Sequence, residues 1–134
     1  SAMTVEQSTG GVTEVRIRKR LDGHFTAMTK VNGKPMSMIV DTGASTIVLT
    51  PEDATAAGID IGGLTYRVPV ITANGRTMAA RVRLNAVAIG PLDRKHVDAL
   101  VAQPGTLTQS LLGMSFLSRL RSYEFSGDFL TLRG

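Results

Sequence analysis

Apolar and polar residues alternate along most of this chain in short runs broken by turn signals, the pattern of half-buried strands rather than helices. Val12, Val15 and Ile17 begin a strand that stops at Leu21-Asp22-Gly23, a hairpin signal. A return strand is expected from His24 to Val31, a turn at Asn32-Gly33, and a further strand from Lys34 to Val40. Thr46 to Leu49 is a β-branched apolar run. Thr50-Pro51-Glu52-Asp53 then reads as a helix start, with a capping hydroxyl, proline at the first helical position and acids in the first turn. Gly58 closes that helix.

The second half repeats the strand pattern. Leu64 to Thr72 alternates with Tyr66, Val68 and Val70 on one face, and Pro69 makes it an edge or projecting strand because proline cannot donate to a ladder. Ala73-Asn74-Gly75-Arg76 is a hairpin turn, Thr77 to Ile89 a long return strand, and Val97 to Val101 another short one. Gln103 to Gln109 reads as loop, and Gly62-Gly63 as a turn. Met114 to Leu120 is expected to make one or two helical turns. Tyr123 to Phe125 and Phe129 to Leu132 flank Ser126-Gly127-Asp128 as a closing hairpin. The sum is an all-β fold with one or two short helices.

Length sets the scale: 134 residues make one domain with a real core. Ser1-Ala2-Met3 reads as a tag remnant, and residues 4–11 are polar with a Gly-Gly end, so residues 1–11 are expected to form a flexible segment outside a single domain over 12–134. Aromatic residues are only 4% of the chain and tryptophan is absent, so Val, Leu, Ile, Met and Ala must build the interior. Cysteine is absent too, which removes disulfides, thiolate metal sites and cysteine nucleophiles together.

The formal charge of +4 raises the question of anionic partners. The cations are spread, however, from Arg16, Arg18, Lys19 and Arg20 through Arg81 and Arg83 to Arg119 and Arg121. No aromatic residues interleave with them for base stacking, so no nucleic-acid partner is expected. A solvated arginine-rich surface explains them, with a weak attraction to anionic lipid as the remainder. His24 and His96 lack ligand spacing, so no metal site is expected.

One element departs from plain strand logic. The apolar run Met38-Ile39-Val40 delivers an acid, Asp41, followed by Thr42-Gly43-Ala44-Ser45 and a second apolar run, Ile47-Val48-Leu49. Burying an unpaired carboxylate is costly, so an acid at the end of an apolar strand implies a compensating use. Gly43 lets the backbone turn tightly towards that carboxylate, and Thr42 adds a short hydroxyl that can lock the turn. Such a turn holds an acid at the floor of a cleft.

This segment resembles the active-site loop of aspartic proteases, and its single occurrence is similar to the retropepsin type. The Asn74-Gly75 hairpin lies where that family places a flap, and Leu111-Leu112-Gly113 resembles the segment that packs beneath the loop. The likeness covers residues 12–133. Ser110 to Leu117 and Thr72 to Arg76 resemble, more narrowly, the single-domain membrane-tethered aspartic proteases of proteobacteria.

What the resemblance implies is specific. The fold would be a retropepsin-like closed β-barrel, half of an acid protease, with a flap hairpin. Asp41 would be catalytic, and Thr42, Gly43, Ala44 and Ser45 would complete the active-site loop. Ala73, Asn74 and Gly75 would form the flap tip over a protein or peptide substrate, with Leu112 and Gly113 as structural support. No cofactor or metal is implied. Asp22, Asp53, Asp60, Asp93, Asp98 and Asp128 lack the flanking pattern, so the second carboxylate of such an endopeptidase would be Asp41 of a second copy in a homodimer. The domain would sit in the periplasm, tethered to a bacterial inner membrane by an anchor outside residues 1–134. Retroviral members commonly carry an acid where Ser45 stands and an arginine where Met114 stands; both are missing here, so retroviral specificity does not transfer. The alternative is a retropepsin-fold dimerisation or peptide-binding module with weak or no catalysis.

Overall fold

In a computed structural model, which describes residues 3–7, 11–72 and 75–134, the strand pattern resolves into two sheets. The first holds β1 (Met3–Gln7), β2 (Thr13–Arg18), β10 (Ser122–Ser126) and β11 (Phe129–Arg133), in the order β1-β2-β11-β10. The second holds β3 (Thr26–Val31), β4 (Lys34–Val40), β5 (Ile47–Leu49), β6 (Tyr66–Thr72), β7 (Gly75–Ile89), β8 (Leu92–Ala102) and β9 (Leu111–Leu112). Its order is β3-β4-β9-β5-β8-β7-β6. Lys30 and Val31 of β3 also pair with Ala88 and Val87 of β7, which joins the ends and closes a barrel. β6 stays outside that ring and, among the described residues, pairs with β7 alone, so the β6–β7 hairpin projects from the wall.

Local chemistry explains the corners. Asn32 and Gly33 both take positive φ (51° and 83°), the backbone a two-residue hairpin between β3 and β4 demands. The Asn32 amide also works at a distance: its Oδ1 accepts from the amides of Asn85 (2.8 Å) and Ala86 (3.2 Å), and its Nδ2 donates to the Ala57 carbonyl. α1 (Pro51–Ala56) starts as its sequence predicts, with Thr50 Oγ1 accepting from Asp53 N at 3.1 Å. Inside the barrel Met38, Ile47, Leu49, Leu84, Leu112 and Phe116 are fully enclosed. Each such side chain stabilises the fold by about 1.5–3 kcal/mol. On the terminal sheet Arg133 donates to Glu14 at 2.9 Å, and that hydrogen bond, with the nearby carboxylates of Glu14 and Glu124, raises the guanidinium above its ordinary value against the opposing effect of desolvation.

Three expectations change. Residues 3–7, placed outside the fold on composition, form β1, with Met3 opposite Ile17 and Val5 opposite Val15. Two alternating apolar residues are too few to stand out, and the strand exists because β2 offers them an apolar partner row. β8 begins at Leu92 rather than Val97, because Gly90-Pro91 makes a tight hairpin from β7 with Gly90 at φ 54°. The ladder skips Asn85 and His96, where His96 turns to φ 54°, and that kink hides the strand's period. α2 covers only Met114–Leu117 of the expected Met114 to Leu120 segment.

Candidate active site

Two short parallel strands prepare the site. β4 and β9 pair as Ile39 with Leu111 and Val40 with Leu112, so both chains run out at the same end of the barrel. The Asp41 amide continues the register by donating to the Leu112 carbonyl at 3.0 Å, and Val40 N donates to Phe25 O at 2.8 Å. Asp41 is thus fixed by backbone on both sides before its side chain does anything.

The loop then turns back on itself. Gly43 N donates to Asp41 Oδ1 at 2.9 Å and Ala44 N to the Asp41 carbonyl at 3.2 Å. The Ala44 carbonyl accepts from Met114 N at 2.8 Å, and Ile47 N donates to Ser115 Oγ at 2.9 Å. Loop and α2 are therefore stitched together on both sides of Gly113. A Cβ on Gly113 would overlap the Thr46 carbonyl oxygen and lie 2.6 Å from that of Ala44. Only glycine lets the Asp41 loop cross this closely.

Behind the loop, Ser110 is fully buried and ties three elements. Its Oγ donates to Asp53 Oδ2 at 2.6 Å and accepts from Thr50 N at 3.0 Å, while its carbonyl accepts from Ile39 N. Ser110→Ala removes a charge-assisted bond and orphans a buried amide. It is expected to cost about 2 kcal/mol, read as a lower urea midpoint.

The carboxylate opens onto a cavity of ≈ 380 Å³. The loop supplies its floor through Asp41, Gly43, Ala44, Ser45 and Thr46. β6 covers it with Pro69, Val70 and Ile71, Thr77 stands opposite, and Val48, Leu100, Ala102, Leu107 and Leu111 make the apolar walls. Asp41 is the one ionisable residue among these, so the cavity presents a single carboxylate within apolar walls. Asp41 and Ala44 are half-buried, whereas Thr42, Gly43 and Ser45 face solvent. Thr46 Oγ1 is buried without a hydrogen-bond partner among the described residues. Because an unpaired buried hydroxyl is a net cost, Thr46→Val is expected to raise unfolding stability by about 1 kcal/mol in a urea titration.

Each residue singled out from the sequence has a definite place. Asp41, Gly43, Ala44 and Ser45 line the cavity, Thr42 is exposed on the same loop, and Leu112 and Gly113 lie beneath. Gly75 stands at the start of β7 with φ 106°, and Ala73 and Asn74 lie outside the described residues. The walls from β8 and from residues 106–107, and the Ser115 hydroxyl under Ile47, were not legible. Ser115 in particular has no motif, only a position. Met114, which stands where retroviral members commonly carry an arginine, accepts a contact from Tyr123 Oη at its Sδ (3.8 Å). Among the described residues no three His, Asp or Glu side chains converge as metal ligands.

Comparison with known proteins agrees with this geometry. Residues 27–119 match the family described as "gag-polyprotein putative aspartyl protease". A crystal structure of a retropepsin-like aspartic protease from Rickettsia conorii superposes with a TM-score of 0.83 at 39% identity, covering 99% of this chain and 96% of that one. EIAV protease, in complex with the inhibitor HBY-793, shares the fold at TM-score 0.62 and 20% identity, over 80% of this chain and 97% of that one. The barrel and projecting hairpin are the retropepsin fold, and the chain belongs to the retropepsin-like aspartic protease family. Among curated proteins, an uncharacterized protein from the cobV 5' region of a Sinorhizobium species is 49% identical over 130 residues, 97% of this chain and 56% of its own length. An uncharacterized protein of Rickettsia prowazekii is 42% identical over 121 residues, 90% of this chain and 52% of its own length. The chain thus spans about half the length of the curated relatives it matches.

Proposed function

We propose that this chain is an aspartic endopeptidase that works as a homodimer, with one Asp41 from each copy. The observation that carries the reading is the lone Asp41 carboxylate, held by the Gly43 amide at the floor of an apolar cavity beneath β6. Hydrolysis of an amide without a metal or covalent intermediate needs a group that takes a proton from water and one that gives a proton to the carbonyl oxygen. Two carboxylates brought within a few ångströms share one proton and supply both roles. The ionised Asp41 accepts the water proton as oxygen attacks carbon; the protonated one donates to the carbonyl oxygen. Return of a proton to the nitrogen then releases the amine. Thr42, exposed in the single chain, meets its twin across the two-fold axis and fixes the two loops. The β6–β7 hairpin closes over the peptide and excludes water.

An unbiased peptide-library digest across mildly acidic to neutral pH tests the activity and reports its specificity. Cleavage whose specific rate climbs with enzyme concentration supports the dimer. A confirmed dimer that binds peptides but cleaves none at any pH would instead make the chain a binding module. We further propose that the whole protein is tethered to a bacterial inner membrane with this domain in the periplasm. The greater length of the relatives leaves room for an anchor outside this segment. Fractionation of the full-length protein with the soluble cytoplasm would overturn that location.

A further inference from the structure

Four cations gather at the corner where β2 leaves the terminal sheet. Arg16 and Arg18 lie two apart on β2, on the face opposite the fully buried Val15 and Ile17. Both guanidinium groups stand over one ring: Cζ of Arg16 lies 4.2 Å and that of Arg18 4.9 Å from the centroid of Phe129, on the neighbouring β11. Two like charges drawn over one ring repel each other, and an anion set between them relieves the repulsion. Lys19 and Arg20 follow directly, both exposed, with Lys19 Nζ 5.8 Å from the Phe25 ring. Asp22 and Asp128 are the acids of this corner, so four cations stand against two carboxylates. Glu14, farther along β2, is engaged by Arg133.

The segment after β2 is a locked turn. Lys19 N donates to the Asp128 carbonyl at 2.7 Å, which anchors it to the β10–β11 hairpin. Gly23 N donates to Arg20 O at 2.9 Å and Arg20 N to His24 O at 2.8 Å, closing a β-turn. His24 N donates to Asp22 Oδ1 at 2.9 Å, so that carboxylate is drawn back onto the backbone. Leu21 takes the first central position of the turn and is fully exposed. Glycine, proline, asparagine and aspartate serve turns; a leucine contributes nothing to one. An apolar side chain held outward by a rigid turn, with cations around its base, complements a surface that is anionic outside and apolar just beneath.

We propose that this corner docks the domain onto an anionic phospholipid surface, with Leu21 entering the boundary between headgroups and acyl chains and Arg16, Arg18, Lys19 and Arg20 meeting lipid phosphates. A nucleic acid offers similar phosphates but no apolar layer to receive Leu21. The ring nearest the cations, Phe129, already lies under two guanidinium groups, so it is not free to stack on a base. None of these residues lines the Asp41 cavity, so docking stands or falls apart from the proposed cleavage. The turn enters the barrel at Phe25, whose carbonyl holds the amide of Val40, next to Asp41. Docking therefore fixes the end of the barrel that carries Asp41 relative to the bilayer, which a flexible tether alone does not do.

Cosedimentation of residues 1–134 with vesicles tests the surface, using phosphatidylcholine alone and phosphatidylcholine mixed with phosphatidylglycerol in equal parts. Binding is expected to the mixed vesicles only, and to weaken as salt is raised. Arg18→Gln, Lys19→Gln and Arg20→Gln together are expected to weaken it about a hundredfold, about fivefold for each cation. Arg67→Gln, Arg81→Gln and Arg83→Gln together change net charge equally at exposed positions elsewhere and are expected to retain binding. Leu21→Ser is expected to weaken it about tenfold. Because the chain has no tryptophan, Leu21→Trp introduces a single indole whose emission should shift to the blue on mixed vesicles, whereas the indole of Met28→Trp, at another exposed site, should not shift. Absence of binding to mixed vesicles at low salt overturns the proposal. So does an equal loss in the two triple variants, which would make net charge the cause, or an unshifted Leu21→Trp emission in vesicle-bound protein. Tighter binding to a single-stranded oligonucleotide than to vesicles, unchanged by Leu21→Ser, would make the corner a nucleic-acid site instead.

Discussion

Asp41→Asn is expected to reduce peptide cleavage by at least about a thousandfold while leaving the fold in place. The asparagine side chain has the same shape, and its Oδ1 still accepts the Gly43 amide that now meets the carboxylate at 2.9 Å. Unfolding stability should therefore shift by no more than about 1 kcal/mol, because one charge-assisted bond becomes neutral. What disappears is the capacity to hold and pass a proton. A mixing experiment sharpens the point. If each catalytic centre needs one Asp41 from each copy, a heterodimer with one Asn is dead, so excess Asp41→Asn added to wild type must depress its rate. A protein whose single carboxylate sufficed would show no such interference. Undiminished cleavage by the pure variant would remove Asp41 from the chemistry, and a wild-type rate indifferent to excess variant would remove the second copy.

The sequence carried the centre of the site better than its rim, for a physical reason. Asp41-Thr42-Gly43 is a local turn, and local turns are written in adjacent residues: the carboxylate, the amide it accepts and the glycine all lie within three positions. The N-cap at Thr50 and the turn at Asn32-Gly33 are legible on the same ground. The cavity walls are different. Leu100, Ala102 and Ile71 come together only through the register of β8 beside β5 and of β6 against β7, Leu107 joins them from the loop after β8, and nothing in their own neighbourhoods marks them. β9 is harder still, since a two-residue parallel strand has no period to detect and exists because β4 and β5 flank it. Ser110 and Ser115 illustrate the same limit. Each is an ordinary serine in sequence, yet one bonds Asp53 and Thr50 from a fully buried position and the other bonds Ile47. β1 failed for the opposite reason: a polar composition suggested tail, and pairing with β2 decided otherwise.

Gly113→Ala is expected to be the most damaging single methyl group that can be added near the site, costing about 4 kcal/mol against a total stability of about 5–15 kcal/mol. The added Cβ would meet the carbonyl oxygens of Thr46 and Ala44, and both are backbone atoms with no rotamer to escape into. Nor can the loop simply lift away. The Ala44 carbonyl is bonded to Met114 N, Ile47 N to Ser115 Oγ, and Asp41 N to Leu112 O, so any retreat breaks bonds on both sides of the glycine. Ala44→Gly gives no relief, because the obstruction is the Ala44 oxygen and not its methyl. A control isolates the cause: Gly23 has φ 86° but open space around it, so Gly23→Ala carries only the left-handed backbone cost of about 1–2 kcal/mol. Urea titrations of the two variants should therefore differ by about 2 kcal/mol or more. Cleavage by whatever fraction of Gly113→Ala remains folded should be lost, since the relaxed loop carries Asp41 away from the place its backbone bonds now fix, whereas Gly23→Ala keeps its rate per folded molecule. A Gly113→Ala protein as stable and as active as wild type would mean that the loop does not cross the glycine as closely as this geometry has it.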